Sequence, residues 1–238
     1  MTRPASGLGQ IQYHTFWAAP LGPDSLVVDF GASLAGFSRE VQALTGCRCH
    51  AVEATPDNVG RIAAGPRLTP HHFAVAGHSG SVGLRIAAED FHWGAIAELG
   101  GVSFEDGVTQ VPAITLDDFL RHIDAGRIDL LKVDIEGAEL PMFEAAGDAA
   151  LQSCDQITVE FHDFLDAGHR PAIARIMTRL ERLGFAAIVF TRHHHGDVLF
   201  LNRARLDLPW WRLAWWRYGV KYGRGLRRIL DRLRRRPT

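Results

Sequence analysis

The sequence predicts a doubly wound α/β fold with a mostly parallel sheet, followed by a basic, amphipathic helical extension. Short apolar runs alternate with amphipathic segments, as in parallel strands covered by helices on both faces. The chain has 238 residues, 47% hydrophobic and 22% charged, which is enough to bury a core without disulfides. Its three cysteines lack CxxC spacing, which argues against a zinc ribbon.

The first half of this domain contains three predicted strands. In chain order they cover residues 25–30, 47–53 and 71–76. A loop over 31–36 follows the first strand and leads into a helix over 37–44. Pro56 opens a second helix, at a position where proline is favoured. Residues 80–86 alternate weakly between apolar and polar, which predicts a β-ribbon.

The second half repeats the alternation and ends in a hairpin. Thr115 precedes Asp117 and Asp118, and a hydroxyl followed by acids is typical of a helix N-terminus. Further strands are predicted over 128–134, 155–162, 185–190 and 197–202, and helices over 138–146 and 171–183. The last two strands are too close in sequence for a crossover helix, so we expect them to pair antiparallel.

The loop after the first strand is a candidate nucleotide site, because open α/β sheets bind ligands at the carboxyl ends of their strands. Glu53 ends the second strand and can accept hydrogen bonds from ribose hydroxyls. Ser33 stands where a dinucleotide loop needs glycine, and Asp29 would repel a phosphate but attract an ammonium. The pattern favours S-adenosylmethionine, which has no phosphate, over a nicotinamide cofactor.

Two motifs resemble those of a known family. Residues 28–33, VDFGAS, resemble the first motif of class I methyltransferases. Residues 128–139, IDLLKVDIEGAE, resemble the signature of FkbM-type methyltransferases, and ITLDDF at 114–119 is similar to its lead-in. Ser33 and Ala35 stand where that family usually has Asn and Gly.

The resemblance covers about residues 24–202. It implies a seven-stranded sheet and methyl transfer from S-adenosylmethionine to a hydroxyl, often on a saccharide or secondary metabolite. The residues expected to hold the cofactor are Asp29, Gly31, Ala32, Ser33, Gly36, Glu53 and Asp134.

The candidate catalytic residues follow the fourth and fifth strands of the domain. Residues two apart share one face of a strand, so Asp134 and Glu136 are expected at the same sheet edge as Glu160 and His162. An alcohol loses a proton when it is methylated, and a histidine or carboxylate can accept that proton. We expect His162 to be the base, with the three carboxylates as orienting groups or alternatives. We expect no metal, although clustered carboxylates can also bind a divalent cation.

We expect three parts: a lead-in over 1–23, a methyltransferase domain over 24–202 and a tail over 203–238, which charge sets apart from the rest. The tail holds twelve of the 26 basic residues and two acids. Its aromatic and leucine residues recur at helical spacing beside arginines, as in helices that lie in a membrane interface. We expect residues 209–236 to contact an anionic membrane. Docking on the chain's own domain or on a second copy, and less favoured nucleic-acid binding, remain alternatives.

These features predict a cytoplasmic enzyme, peripheral on the inner face of the membrane, since no run of about 18 apolar residues and no secretory signal is visible. Its acceptor would be a hydroxyl-bearing small molecule or glycan, such as a glycolipid precursor. Residues 89–94 could line the acceptor pocket, and His193–His195 are expected at a solvated turn. The alternative is a non-catalytic adaptor in which the tail binds a membrane or a partner.

Overall fold

The computed structural model describes residues 7–86, 94–96 and 108–220. The strands are β1 (Leu8–Ile11), β2 (His14–Trp17), β3 (Leu26–Phe30), β4 (Arg48–Glu53), β5 (Leu68–His72), β6 (Ala74–Val75), β7 (Gly80–Ile86), β8 (Gly94–Ile96), β9 (Val108–Ile114), β10 (Leu130–Val133), β11 (Gln156–Val159), β12 (Phe185–Val189) and β13 (Val198–Asn202). The helices are α1 (Gly36–Thr45), α2 (Pro56–Arg61), α3 (Leu116–His122), α4 (Glu139–Ala145), α5 (Asp148–Gln152), α6 (Arg170–Arg182) and α7 (Trp210–Ala214).

Seven strands form the central sheet in the order β12-β13-β11-β10-β3-β4-β5. Strand β13 pairs antiparallel with β11 and β12, whereas the pairs from β11 to β5 are parallel. This confirms the doubly wound fold and the antiparallel terminal hairpin. The predicted third strand divides into two: β5 joins the central sheet, and β6 pairs with β9 in a separate four-stranded sheet.

The central sheet is covered on both faces, as its continuous apolar strands require. Helices α3 to α6 pack on one face, where Ile173, Ile176 and Leu180 of α6 supply an apolar stripe at helical spacing. On the other face, α1 covers β3 and β4 through Phe37 and Val41. The two cores fix the carboxyl ends of β3, β4, β10 and β11 at one edge.

The lead-in forms a hairpin that the sequence pattern did not predict. Gln12 and Tyr13, with φ of 46° and 69°, make its tight turn, the left-handed conformation that two-residue hairpin loops need. Phe16 packs edge-on against Phe37 of α1. All four residues of β2 are buried, so the strand has no apolar–polar alternation by which it could have been recognised.

The tail begins as helical structure, α7 followed by a π-helical segment over Trp215–Val220. Trp216 is buried against Trp17 of the hairpin, with ring centroids 5.6 Å apart. Tyr222 and the leucines beyond it, like residues 89–93, lie outside the described residues. Within the part of the chain that the structure describes, no helix has the length and apolar character needed to cross a membrane.

Candidate active site

The loop after β3 is pressed against the segment that follows β10. Gly31 has φ of 76°, and a Cβ on it would lie 1.7 Å from the backbone oxygen of Asp134. Its N–H donates to the carbonyl of Val52 at 3.0 Å. Glycine is therefore required here for both its conformation and its lack of a side chain. This contact places the two sequence motifs directly against each other.

Ser33 and Ala35 both adopt the left-handed conformation, with φ of 48° and 59°, which Asn and Gly accept more readily than other residues. The two departures from the family pattern therefore occupy backbone positions suited to the usual residues. Glu53 braces this loop, since its carboxylate accepts the N–H of Ser33 at 2.7 Å and that of Thr55 at 2.8 Å. Ala32 is buried, and Gly36 lies under Gln12 of the hairpin.

Asp29 does not face the cleft, which corrects the expectation that it contacts a ligand directly. Its carboxylate is fully buried, accepts a hydrogen bond from Ser38 at 2.8 Å and pairs with the Lys132 ammonium at 3.2 Å. Lys132 also donates to the carbonyl of Gly31 at 2.7 Å. A buried carboxylate needs such a partner, and the ammonium that Asp29 attracts belongs to the chain itself.

Asp134 is the charged centre of the site. Its Oδ2 atom lies 3.4 Å from both Lys132 Nζ and His14 Nε2. Burial alone would raise the pKa of this carboxyl, but the charges of Lys132, His14 and His162 lower it well below its ordinary value. Asp134 is therefore ionised. His14, contributed by the hairpin, is a site residue that the sequence did not reveal.

His162 is held by two carboxylates. Its Nδ1 lies 3.0 Å from Glu139 and its Nε2 lies 3.3 Å from Glu136. Burial lowers the pKa of this imidazole, but the hydrogen bonds and charges of the two glutamates raise it to about 11. An imidazolium has no lone pair with which to accept a proton. His162 therefore bridges the segments that carry Glu136 and Glu139, and its role as the base stays a prediction.

Glu139 caps the turn that follows β10. It is buried at the first residue of α4, where its carboxylate accepts the N–H groups of Ile135 and Gly137 at 3.0 and 3.1 Å. Glu136 has φ of 52°, so the backbone after β10 is not the extended strand that was expected. The positive φ and the Glu139 cap turn this segment back toward His162.

Glu160 is the least constrained carboxylate of the group. Among the described residues, no side chain forms a hydrogen bond or ion pair with it. Burial, followed by the nearby negative charge of Asp134, raises its pKa to about 7. A group that titrates near neutral pH can both accept and release a proton under working conditions.

The turn at 191–196 lies beside these carboxylates, with His193 exposed and His194 and His195 partly buried. Asp163, fully buried, accepts the N–H of His195 at 2.7 Å and contacts its Nδ1 at 3.0 Å. The half-exposed ring of Phe164 lies between the rings of His162 and His194, at 5.3 and 5.5 Å.

Ligating atoms of His14, Asp134 and Glu160 lie within 4.8 Å of one another, as do those of Asp134, Glu136 and His162. From the sequence, a divalent metal remained an alternative for these carboxylates. In the structure, ion pairs with Lys132 and His162 already stabilise part of their negative charge.

The site fits the ligand that its loop suggested. A group of carboxylates suits a sulfonium and an ammonium, and the loop at 31–36 follows the carboxyl end of a parallel strand, where open α/β sheets bind their ligands. Fold and site together define a Rossmann-like methyltransferase.

Comparison with protein families identifies the group. The Methyltransferase FkbM domain matches residues 29–187, more than half of the chain, and the protein therefore belongs to that family. S-adenosylmethionine is its cofactor.

Individual relatives are distant. A stretch of 67 residues is 37% identical to an AMB antimetabolite synthetase of Pseudomonas aeruginosa, over 27% of this chain and 3% of that protein. Precorrin-6y C5,15-methyltransferase of Geobacter metallireducens is 16% identical, with 77% of this chain and 81% of that chain covered and a TM-score of 0.39. Fibrillarin of Aeropyrum pernix, solved with S-adenosyl-L-methionine, is 10% identical, with 82% of this chain and 70% of that chain covered and a TM-score of 0.41.

Proposed function

We propose that this protein transfers the methyl group of S-adenosylmethionine to a hydroxyl oxygen of a saccharide, a glycolipid precursor or a secondary metabolite. The observation that carries the proposal is the position of Glu160, an unpaired carboxylate within 4.8 Å of Asp134, beside the loop that begins at Gly31. The arrangement supplies a proton acceptor at the edge of the sheet where class I methyltransferases bind their cofactor.

The cofactor, when bound, supplies an electrophilic methyl group on a positively charged sulfur. The chain's own residues hold the two reactants in line and exclude water, which is the main contribution to such a displacement. Gly31, Ser33 and Glu53 form the cofactor side of the cleft. The acceptor oxygen would take the methyl group as the S–C bond breaks and leaves a neutral thioether, and Glu160 would accept the hydroxyl proton. The ion pair with Lys132 keeps Asp134 ionised. Its carboxylate would stabilise the positive charge of the bound cofactor.

The acceptor side of the cleft carries exposed apolar groups. Phe164 is half exposed and Leu165 is largely exposed, two and three residues after His162. An aromatic ring at the mouth suits the apolar face of a sugar ring or a flat secondary metabolite. If the acceptor is linked to a lipid, the protein would bind it at a membrane surface.

The test is mass analysis after incubation of the protein with labelled S-adenosylmethionine and a panel of hydroxylated acceptors, among them free sugars, glycolipids and phenols. We expect label on an acceptor oxygen, and calorimetric binding of S-adenosylhomocysteine. Glu53→Gln should weaken that binding at least tenfold, whereas Glu144→Gln, an exposed acid on α4, should not. No heat with S-adenosylhomocysteine would favour the non-catalytic adaptor, and label on nitrogen or carbon would exclude O-methylation.

A further inference from the structure

The C-terminal helical segment carries an unusual concentration of exposed rings. Four aromatic side chains, each more than half exposed, lie on it: Trp210, Trp211, Trp215 and Tyr218. We refer to these four residues as the aromatic surface. Soluble proteins rarely leave several large rings in water beside one another. A further aromatic residue of the segment, Trp216, is 1% exposed and packs on Trp17.

Two contacts fix the orientation of this segment. The buried Trp216 anchors one side of it to the hairpin, and Nε of Arg217 donates to the carbonyl of Ala187 in β12 at 3.0 Å. Arg212 lies over the rings of Trp17 and Trp211, at 5.6 and 5.4 Å. Docking on the chain's own domain therefore accounts for Trp216, whereas the four rings of the aromatic surface remain more than half exposed to solvent.

The charge of the following sequence indicates what kind of partner fits. Residues 221–238 contain eight basic residues and one acid, Asp231. An aromatic cluster followed at once by concentrated positive charge matches a surface that is apolar at depth and anionic at its boundary. Tryptophan and tyrosine prefer this boundary in membranes, and basic segments are drawn to anionic headgroups.

We propose that the aromatic surface lies in the interface of a membrane containing anionic lipid, an association that the net positive charge of the sequence after it favours. Neither methyl transfer nor the identity of the acceptor is needed for this contact. A single-stranded nucleic acid would use the same charges and could stack its bases on the rings, so the experiment includes it as a competing outcome. A second copy of the chain would be held through the rings and would not require anionic lipid.

The experiment uses the full-length chain without cofactor. Co-sedimentation is measured with vesicles of phosphatidylcholine alone and of phosphatidylcholine with phosphatidylserine, together with tryptophan fluorescence. We expect binding to the anionic vesicles with a blue shift of the emission. The combined variant Trp211→Ala, Trp215→Ala and Tyr218→Ala should bind at least tenfold more weakly. Tyr13→Ala, which removes a still more exposed ring on the hairpin turn, should bind as the wild type does.

Several results would overturn the proposal. One is equal partitioning of the wild type and the triple variant. Another is a shift of emission on adding single-stranded or duplex nucleic acid and none on adding vesicles. A third is concentration-dependent dimerisation in sedimentation velocity that the triple variant abolishes while vesicle binding is absent. Circular dichroism of each variant shows whether its fold is retained, and failure of vesicle binding leaves the calorimetric test of the cofactor site unaffected.

Discussion

The Nδ1 atom of His162 lies 3.0 Å from Oε1 of Glu139, and this contact joins the ends of two neighbouring strands. Glu139 begins α4 after β10, whereas His162 follows β11. The same glutamate accepts the N–H groups of Ile135 and Gly137, so one carboxylate fixes both the turn after β10 and the ring after β11. The geometry of the candidate acceptor site depends on this pair.

Replacing Glu139 with glutamine should loosen the site. The amide keeps the size of the side chain but removes the charge that raises the pKa of His162, and one buried donor loses its acceptor. We expect unfolding to require roughly 1–3 kcal/mol less free energy and the pKa of His162, followed by NMR, to fall from about 11. Glu144→Gln on the same helix removes an exposed acid and should change neither quantity. Equal effects of the two substitutions would show that the contact between Glu139 and His162 is unimportant.

Glu160 should set the pH dependence of catalysis. Its carboxylate accepts a proton when ionised, and its pKa is raised to about 7, so kcat/KM should increase with pH up to about that value and then level. Glu160→Gln should lower kcat by roughly 10²–10⁴-fold and remove the rising limb, with little change in S-adenosylhomocysteine binding. Glu160→Asp should restore part of the rate. A rising limb that persists in the glutamine variant would assign the titration to another group.

The sequence pattern predicted the strands, the main helices and the sheet edge at which the site lies. These features depend on hydrophobic periodicity and on polar residues at strand ends, which can be recognised within short stretches of sequence. Residues 128–139 carry most of that information. The pairing of Asp29 with Lys132 could not be predicted in the same way, since it depends on the register between β3 and β10. His14 was missed for a similar reason: the hairpin reaches Asp134 across 120 residues of sequence, and β2 is buried without any alternation.

Gly31 should tolerate no side chain. An alanine there would place its Cβ 1.7 Å from the backbone oxygen of Asp134 at a φ of 76°, so backbone must move on both sides of the contact. We expect Gly31→Ala to lower the free energy of unfolding by several kcal/mol, about 3 or more, or to prevent folding. Gly60→Ala is the matched change in α2, where the added Cβ would have no neighbouring atom within 4 Å. It should be neutral or stabilise the fold by about 0.5–1 kcal/mol. Urea unfolding measures both.

The stability of the fold should fall in mild acid because of a histidine pair away from the site. Nδ1 of His50 lies 2.7 Å from Nε2 of His71, and the two rings stack beside Phe119. Burial, with the neighbouring charges of His50 and His122, lowers the pKa of His71 to about 4. The unfolded chain takes up this proton near pH 6.5, whereas the folded chain does so only near pH 4.

Between those two pH values the unfolded state binds more protons, so the free energy of unfolding decreases as the pH falls. The contribution of His71 is present above about pH 6.5 and is lost progressively down to about pH 4, by at most roughly 3 kcal/mol. Urea unfolding at a series of pH values measures it. His71→Gln should flatten the curve across this window, whereas His78→Gln, at an exposed position, should leave its slope unchanged. If the His71 variant and the wild type give parallel curves, the acid sensitivity arises elsewhere in the chain.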